Sequence, residues 1–170
     1  MAHSKALEFY SAEELFTPGC PGVYEGERLA EVAFPLGGIG TGCVSLNGNG
    51  GLVDWDIFNR PNKGSILPYA FTTLWAQAQG EPSVTRVVQA PPRPPYSGRG
   101  CGQYSGLGFG VRRENGSGLP HVAGTRFRGE FPMAYVDFHA PDLPVSVAME
   151  AYSPFIPLNP DDSGLPVAVL

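Results

Sequence analysis

The stretch FPLGGIGTGCVSLNGNGGLVDWDIF, residues 34–58, decides the fold. Two of its segments, TGCVSL and LVDWDIF, contain the β-branched and apolar residues that are typical of strands. The pair Asn47-Gly48 lies between them and favours a hairpin, since a primed turn requires positive φ. The stretch therefore predicts two antiparallel strands joined by a tight turn.

The glycine run in this stretch, GGIGTG at 37–42, does not have the spacing of a nucleotide-binding loop. A dinucleotide loop has the pattern G-x-G-x-x-G, but Cys43 or Ser45 stands where the third glycine is required. The residues that follow are typical of a strand, so the run offers no helix N-terminus to a phosphate. We interpret the run as a bent strand whose missing Cβ atoms allow another backbone or a bulky side chain to approach closely.

The segment LVDWDIF has apolar and acidic residues in alternation. We expect Val53, Trp55 and Ile57 on the buried face of its strand, and Asp54 and Asp56 on the wet face. The strand rise places the two aspartates about 6.6–6.8 Å apart along the chain. This spacing suits a cation, but a solvated sheet face explains it as well, and we favour the second interpretation.

Composition favours an all-β fold that is rich in turns. The 170 residues include 23 glycines and 18 prolines without a short repeat, which indicates many short elements joined by turns. Hydrophobic residues make up 42% of the chain, enough for one domain with a hydrophobic core. We predict an antiparallel β-sandwich that is truncated at its C-terminal edge. Further strands are predicted in YAFTTLWAQAQ (69–79), SVTRVVQA (83–90), MAYVDFHA (133–140), PVSVAMEAY (144–152) and LPVAVL (165–170).

We divide the chain into a leader and one domain. The leader spans residues 1–28 and includes SAEELF, where Ser11 and Glu14 have the capping-box spacing of a short helical turn. The incomplete sandwich domain spans residues 29–170, with a long Pro/Gly-rich connection over 91–120. Its last predicted strand ends without a turn or a charge, and an unpaired apolar edge recruits another chain. We therefore expect the sequence to be the N-terminal part of a longer polypeptide.

Charge and cysteine usage exclude several classes of partner. The formal net charge is −5 and the basic residues form no cluster beyond Arg112-Arg113, which argues against nucleic acid and anionic membranes. No apolar run approaches the roughly 18 residues of a transmembrane segment, and the first residues lack the apolar core of a signal peptide. The three widely spaced cysteines indicate reduced thiols and, with the rest, a cytoplasmic protein.

No residue pattern indicates a catalytic, cofactor or metal site within the chain. The three histidines, His3, His121 and His139, lack metal-ligand spacing and form no recognisable set with serine and aspartate. The pair Asp161-Asp162 lies in a turn composition, where aspartate commonly bonds its own backbone. We therefore predict no catalytic residue, no cofactor and no metal here.

Taken together, the motifs of residues 34–64 resemble the N-terminal signature of glycoside hydrolase family 116, a family of β-glucosidases and glucosylceramidases. Gly-Gly-Ile-Gly, Asp-Trp and Phe-Asn-Arg-Pro occur there in the family's order and spacing. A second segment, AYSPFIPLNPDDSGLPVAV at 151–169, is similar to the family's SPFIP region. The resemblance implies an N-terminal β-sandwich followed by an α/α toroid that holds the catalytic glutamate and aspartate of a retaining β-glucosidase. It implies a β-glucoside substrate, glycan or glycolipid, for the parent enzyme, and it transfers no catalytic residue to residues 1–170.

The segment DWDIFNRPNKG suggests a surface for the implied catalytic domain. We hypothesise that Trp55, Phe58, Asn59 and Arg60 contact that domain or line the entrance of its pocket, since tryptophan and arginine are enriched at interfaces. The alternative is that Trp55 is a core residue and Arg60 bonds nearby carbonyls. Sequence alone leaves both open.

A second function from a different class is a non-catalytic carbohydrate-binding or interaction module. Its aromatic platform consists of Trp75, Tyr96 and Tyr104, provided that these rings are exposed and coplanar. Burial of the same rings in the sandwich favours the scaffold instead.

Overall fold

A computed structural model describes residues 11–91 and 116–170 of the chain. Within these residues, nine strands form three antiparallel sheets, with two short α-helices and one 3-10 helix. The prediction of an all-β, antiparallel fold is confirmed. The elements are α1 (Ala12–Phe16), β1 (Gly22–Tyr24), the 3-10 helix (Gly26–Glu31), β2 (Ala33–Leu36), β3 (Cys43–Asn47), β4 (Leu52–Asp56), β5 (Thr73–Ala76), β6 (Val84–Val87), β7 (Gly124–Glu130), β8 (Met133–His139), β9 (Val147–Tyr152) and α2 (Pro160–Ser163).

Two of the sheets share one hydrophobic core. The larger sheet has the strand order β1-β7-β8-β9 and the smaller one β2-β3-β4, while β5 and β6 form a separate hairpin. Along β8, Ala134, Val136 and Phe138 are buried and alternate with Tyr135 and Asp137, as expected when one sheet face is covered. The buried cluster includes Leu36, Val44 and Leu46 from the smaller sheet, and Phe127, Val136 and Ala151 from the larger one.

Phe127 on β7 joins the two sheets at the centre of this core. It is 1% exposed, and its ring centroid lies 6.2 Å from that of Tyr24 on β1 and 6.1 Å from that of Phe34 on β2. The sequence patterns do not predict β7, because glycine and arginine interrupt its apolar residues. The strand forms through pairing along its whole length with β8, from Gly124 opposite His139 onward.

The predicted hairpin joins β3 and β4, but its turn differs from the one expected. Positive φ occurs at Gly50 (83°) and not at the Asn47-Gly48 pair. The Asn47 N–H donates to Gly51 O at 2.9 Å. The Asn47 side-chain carbonyl accepts from the backbone N–H groups of Asn49 at 3.0 Å and Gly51 at 2.8 Å. Asn47 therefore stabilises a longer turn by bonding its own backbone neighbours.

The predicted alternation along β4 is wrong at Asp54. This residue is 7% exposed and has a φ of 53°. The β3–β4 register shifts here, since Cys43 pairs with Asp56 whereas Ser45 pairs with Val53. The extra residue forms a β-bulge, which turns the Asp54 side chain away from the wet face.

The two ends of the described chain show one success and one error. The helical turn predicted in SAEELF is confirmed as α1, where the Leu15 N–H donates to Ser11 O at 3.1 Å. The strand predicted at 165–170 is wrong, since only Val169 pairs, exchanging backbone hydrogen bonds of 3.0 and 3.3 Å with Tyr152. No helix in the parts of the chain described above is long and apolar enough to span a bilayer.

Candidate functional site

The glycine run at 37–42 packs against the segment that follows α2. A Cβ added to Gly38 would overlap the Leu165 carbonyl oxygen and lie 2.8 Å from the carbonyl carbon of Gly164. The adjacent Ile39 N–H donates to Ser163 O at 2.8 Å. Two backbones thus meet where a side chain is absent, which confirms the interpretation of the run as a site of close approach.

Two buried serines hold this C-terminal segment in place. The Ser153 hydroxyl donates to Pro35 O at 3.1 Å and accepts from the Gly37 N–H at 3.3 Å. The Ser163 hydroxyl donates to Ile156 O at 3.0 Å and accepts from the Ile156 N–H at 2.9 Å. Each hydroxyl satisfies a backbone group that has lost water, so the loop from 153 to 163 has a defined path across β2.

Asp161 and Asp162 were predicted in a turn, but they lie in the short helix α2. Asn159 caps α2, since its side-chain oxygen accepts from the Asp162 N–H at 3.2 Å. The Asp162 carboxylate accepts from the Asn159 side-chain amide at 2.6 Å. Both contacts are local and belong to the N-terminal cap of α2, so the NPDD sequence is explained by helix capping.

On its other side, the glycine run contacts the start of the loop after β4. Gly42 has a φ of 91°, and a Cβ there would lie 2.7 Å from Asp56 O and 3.2 Å from the Cα of Ile57. Ile57 was expected on the buried face, but it lies beyond β4 and is 39% exposed. The run therefore joins two surface loops, 57–64 and 153–165.

Lys63 forms ion pairs with both aspartates of β4. Its Nζ lies 3.4 Å from the Asp54 carboxylate and 2.8 Å from the Asp56 carboxylate. Asp54 also accepts from the Gly64 N–H at 2.6 Å, and Asp56 accepts from the Asn62 N–H. The cation that this spacing suits is thus a side chain of the same loop. The two carboxylates order the loop and are already occupied.

This ion pairing shifts two pKa values. The hydrogen bond from Lys63, and then that from the Asn62 N–H, lowers the pKa of Asp56, and the bond to Asp56 raises the pKa of Lys63. A lowered carboxyl pKa stabilises the fold above the unfolded pKa, and this contribution is lost as the pH falls through the folded pKa. A raised lysine pKa contributes below the unfolded pKa, and its contribution is lost as the pH rises through the folded pKa.

Substituting Lys63→Met should raise the pKa of Asp56 toward its ordinary value of 3.8, because the main cause of the shift is removed. A carbon-detected NMR titration of the aspartate carboxyl groups measures this directly. Arg60→Met is the control, since Arg60 is a cation of the same loop with no ion pair among the described residues. An equal shift in both variants would show that general charge, and not the Lys63 contact, sets this pKa.

The glycine run, the two loops and the β7–β8 turn carry exposed large apolar side chains, and we name this set the apolar face. Phe58 is 85% exposed and Leu158 is 103% exposed. The glycine run contacts both loops. The ring centroid of Phe155 lies 5.2 Å from that of Phe131. The apolar face consists of Ile39, Ile57, Phe58, Phe131, Phe155, Ile156, Leu158 and Leu165.

The backbone at the most exposed members of this face is strained. Phe58 and Leu158 have φ values of 57° and 64°, a region that large apolar residues seldom adopt. The left-handed conformation costs roughly 1–2 kcal/mol per residue. Here it directs two large apolar side chains into solvent, where they gain nothing within this domain. Strain of this kind is typical of functional surfaces.

A comparison with protein families assigns the chain. A family model described as "beta-glucosidase 2, glycosyl-hydrolase family 116 N-term" matches residues 33–170. The chain belongs to this family. The resemblance found from the motifs at 34–64 and 151–169 is therefore confirmed, and the structure shows that these two segments of the family 116 domain contact each other. A search of curated proteins found no significant match.

The four predicted interface residues of this family 116 domain lie in two different settings. Phe58, Asn59 and Arg60 are exposed in the loop 57–64. Trp55 is half-buried and packs against the core, and its indole N–H is buried without a hydrogen-bond partner in the described residues. The Arg60 side chain bonds no carbonyl in this part of the chain. Whether these residues contact a catalytic domain stays a prediction.

Two of the three histidines considered in the sequence lie in the described part of this family 116 domain. His121 lies 3.0 Å from both Gln89 O and Gly116 O through its two ring nitrogens, and His139 is exposed. No group of three or more histidine, cysteine, aspartate or glutamate side chains in residues 11–91 and 116–170 can hold a metal ion. His3 lies outside the described residues.

Sequence reasoning missed Ile39, Leu158 and the partnership of Lys63 with the acidic pair. The NKG sequence places a lysine near the two aspartates along the chain. The bulge that turns the Asp54 side chain toward Lys63 has no sequence signal. Leu158 follows proline in a turn composition, and its left-handed backbone has no local sequence signal.

Proposed function

We propose that this chain is the N-terminal β-sandwich domain of a retaining β-glucosidase and that it scaffolds the catalytic α/α toroid through the apolar face. The supporting observation is that the two segments specific to family 116 join at Gly38 to present this face. The proposed substrates are β-glucosides, including glucosylceramide-like lipids. Sphingolipid metabolism and a cytoplasmic location stay predictions.

Energetics support association through this face. Burial of one exposed leucine or phenylalanine side chain contributes roughly 1.5–3 kcal/mol. The loops that carry Phe58 and Leu158 are ordered by hydrogen bonds within the chain, which limits the backbone entropy lost on association, while each exposed side chain still loses its rotamer freedom. Arg60 lies beside Phe58 without an ion pair in the described residues, which supplies a free donor for a carboxylate or carbonyl at the rim.

The chemistry of the proposed enzyme requires residues outside this chain. A retaining glycosidase uses two carboxyl groups about 5–5.5 Å apart, one of which must hold a proton in the resting state. Asp54 and Asp56 are a carboxyl pair of the described residues, but both bind Lys63, and the pKa of Asp56 is lowered. A carboxyl group with a lowered pKa is a poor general acid. We therefore propose that the 170-residue chain is inactive alone and acts by positioning the catalytic domain.

The test of this function uses the full-length enzyme that contains this domain. Leu158→Ser and Phe58→Ser should each lower the midpoint of thermal unfolding by several degrees and reduce hydrolysis of p-nitrophenyl β-glucoside, because the lost burial weakens the domain contact. Val145→Ser is the matched control, since Val145 is 48% exposed and lies at the opposite end of β9 from Ser153. Unchanged stability and activity in both face variants would refute scaffolding through this face.

Arg60→Ala in the same enzyme tests whether Arg60 bonds the catalytic domain or only groups within its own loop. If Arg60 bonds the catalytic domain, we expect a loss of about 1–3 kcal/mol of domain association, since hydrogen bonds to charged groups contribute about 1.5–3 kcal/mol. The isolated chain should show no change in stability, as Arg60 makes no side-chain bond within its described part. Equal stability and equal glucosidase activity in the full-length variant would remove Arg60 from the interface.

A further inference from the structure

An open cavity lies between β1 and β7 of the larger sheet and β2 of the smaller sheet. Its volume is about 390 Å³, which falls within the roughly 300–1,000 Å³ that is usual for ligand sites. Four aromatic residues line it, namely Tyr24, Phe34, Phe127 and Phe131. Glu31 is the one charged residue among the described residues of the lining. The cavity thus combines aromatic walls with a single carboxylate.

The aromatic rings hold one another in place. The ring centroid of Phe34 lies 6.1 Å from that of Phe127 and 6.2 Å from that of Phe131. The Tyr24 ring packs against Phe127 at 6.2 Å, with an angle of 66° between the ring planes. Phe127 is 1% exposed and forms the inner end of the cavity, whereas Tyr24 and Phe131 are 38% and 56% exposed. Tyr24 and Phe131 therefore supply the ring surface that a ligand can reach.

A glycine leaves space beside these rings. Gly129 on β7 lines the cavity and is paired with another glycine, Gly22 on β1. A Cβ at Gly129 would lie 3.5 Å from Phe127 Cε1 and 3.8 Å from Phe34 Cδ2, which is ordinary van der Waals contact. A larger side chain at this position would therefore occupy the cavity, and its absence keeps the rings accessible.

Glu31 gives the cavity a preference for cations. Its side chain is exposed and makes no ion pair within residues 11–91 and 116–170. Arg28 lies one turn earlier on the same 3-10 helix, but it does not pair with Glu31 and does not line the cavity. The aromatic walls add to the preference, because the faces of aromatic rings attract cations. An anion would meet only repulsion from Glu31.

Among cations, a guanidinium group suits this lining best. A lysine ammonium is strongly hydrated and loses that hydration beside aromatic walls, and a quaternary ammonium has no N–H group to donate to Glu31. A guanidinium is weakly hydrated, stacks on aromatic rings and donates two parallel hydrogen bonds to a carboxylate. The chain itself contains such a stack elsewhere, since the guanidinium carbon of Arg128 lies 4.1 Å from the ring centroid of Tyr135.

The position of the cavity indicates where the guanidinium comes from. Phe131 lines the cavity and also belongs to the apolar face, where its ring centroid lies 5.2 Å from that of Phe155. A domain that covers the apolar face therefore reaches the mouth of the cavity. We propose that the cavity receives an arginine side chain of the catalytic domain, which packs against Tyr24 and Phe131 and pairs with Glu31. This inference rests on the proposed function, because it takes the catalytic domain as the partner.

The cavity differs from the aromatic platform expected from sequence for a carbohydrate-binding module. Trp75 is 61% exposed on β5 and does not line the cavity. Tyr96 and Tyr104 lie outside the described residues. The coplanar row of three rings therefore stays a prediction.

The first test is an NMR titration of the ¹⁵N-labelled 170-residue chain with N-acetyl-L-arginine amide. The backbone amide signals of Glu31 and Gly129 should shift and saturate, with a dissociation constant on the order of 10 mM for so few contacting atoms. Two control ligands are N-acetyl-L-citrulline amide, which has the same shape without the charge, and tetramethylammonium, which has the charge without N–H donors. Each should bind at least threefold more weakly. Shifts that do not saturate, or equal affinity for either control ligand, would overturn the guanidinium site.

Two variants locate the site on the chain. Tyr24→Leu removes an accessible ring, and Glu31→Gln removes the charge at nearly constant shape, so each should weaken binding about two- to fivefold. Glu81→Gln is the matched control, because Glu81 is exposed in the β5–β6 turn and does not line the cavity. Unchanged affinity in both cavity variants, whose amide spectra report the fold, would show that the arginine amide binds elsewhere.

The full-length enzyme identifies the source of the arginine. There, Glu31→Gln and Tyr24→Leu should lower the midpoint of thermal unfolding by a few degrees more than they do in the 170-residue chain, because they also weaken the contact between the domains. Equal changes in the two proteins would remove the catalytic domain as the source. This result is distinguishable from a failure of scaffolding, which Phe58→Ser and Leu158→Ser test at other residues and which leaves the titration of the 170-residue chain unaffected.

Discussion

Substituting Gly38→Ala should lower the free energy of unfolding by about 2–4 kcal/mol. The added Cβ would overlap the Leu165 carbonyl oxygen, and the contact on that side is backbone, which cannot rotate away. Separation of the two backbones would also break the hydrogen bond from the Ile39 N–H to Ser163 O. Urea unfolding of the chain, followed by tryptophan fluorescence, measures the change.

Substitutions at two further glycines distinguish a steric clash of the added Cβ from strain in the backbone. Gly40 has a φ of 74° but nothing within 4 Å of an added Cβ, so Gly40→Ala should cost about 1–2 kcal/mol through strain alone. Gly19 has neither restriction, and Gly19→Ala should change stability by less than about 0.5 kcal/mol. If Gly38→Ala were no more destabilising than Gly40→Ala, the close approach at Gly38 would not be the cause.

Substituting Phe127→Ala should have the larger effect, a loss of about 3–5 kcal/mol. Phe127 is 1% exposed, and its removal leaves a cavity between two sheets that cannot collapse independently. Its contacts with the Tyr24 and Phe34 rings add roughly 0.5–1.5 kcal/mol each beyond area burial. A loss of this magnitude is a large fraction of the roughly 5–15 kcal/mol by which ordinary domains are stable, so the urea midpoint should fall markedly.

Phe16→Ala is the matched control for the core substitution. Phe16 is 86% exposed at the end of α1, so the same deletion should change stability by less than about 0.5 kcal/mol. A loss in Phe127→Ala below about 1 kcal/mol, in the same urea unfolding experiment, would contradict the placement of this ring between the sheets.

Local patterns in the sequence predicted the strands that alternate regularly. On β9, the side chains of Val147, Met149 and Ala151 lie on the strand face that packs against the core, as their spacing predicts. The same rule was wrong on β4, because a bulge inserts one residue into the strand and interrupts the alternation at Asp54. Such a bulge depends on pairing with β3 and so has no local signal.

The sequence predicted which segments form the candidate site, but not which residues of these segments contact each other. The glycine run was interpreted as a site of close backbone approach, yet nothing local identifies Leu165 as the partner of Gly38. The same limit applies to Asp54, whose burial depends on Lys63 and on the Gly64 N–H. Contacts between distant segments are set by the fold as a whole, whereas periodicity reports only neighbours along the chain.

The contact between the glycine run and the C-terminal loop also sets the order of assembly. Gly37 and Ser153, which share a hydrogen bond, are 116 residues apart in sequence. Closing so long a loop is slow and entropically costly, and it must wait until both partners have left the ribosome. At roughly 5–20 residues per second, the nascent chain spends several seconds without this contact. The apolar face is therefore complete only after residue 165 has been synthesised and has docked against the glycine run.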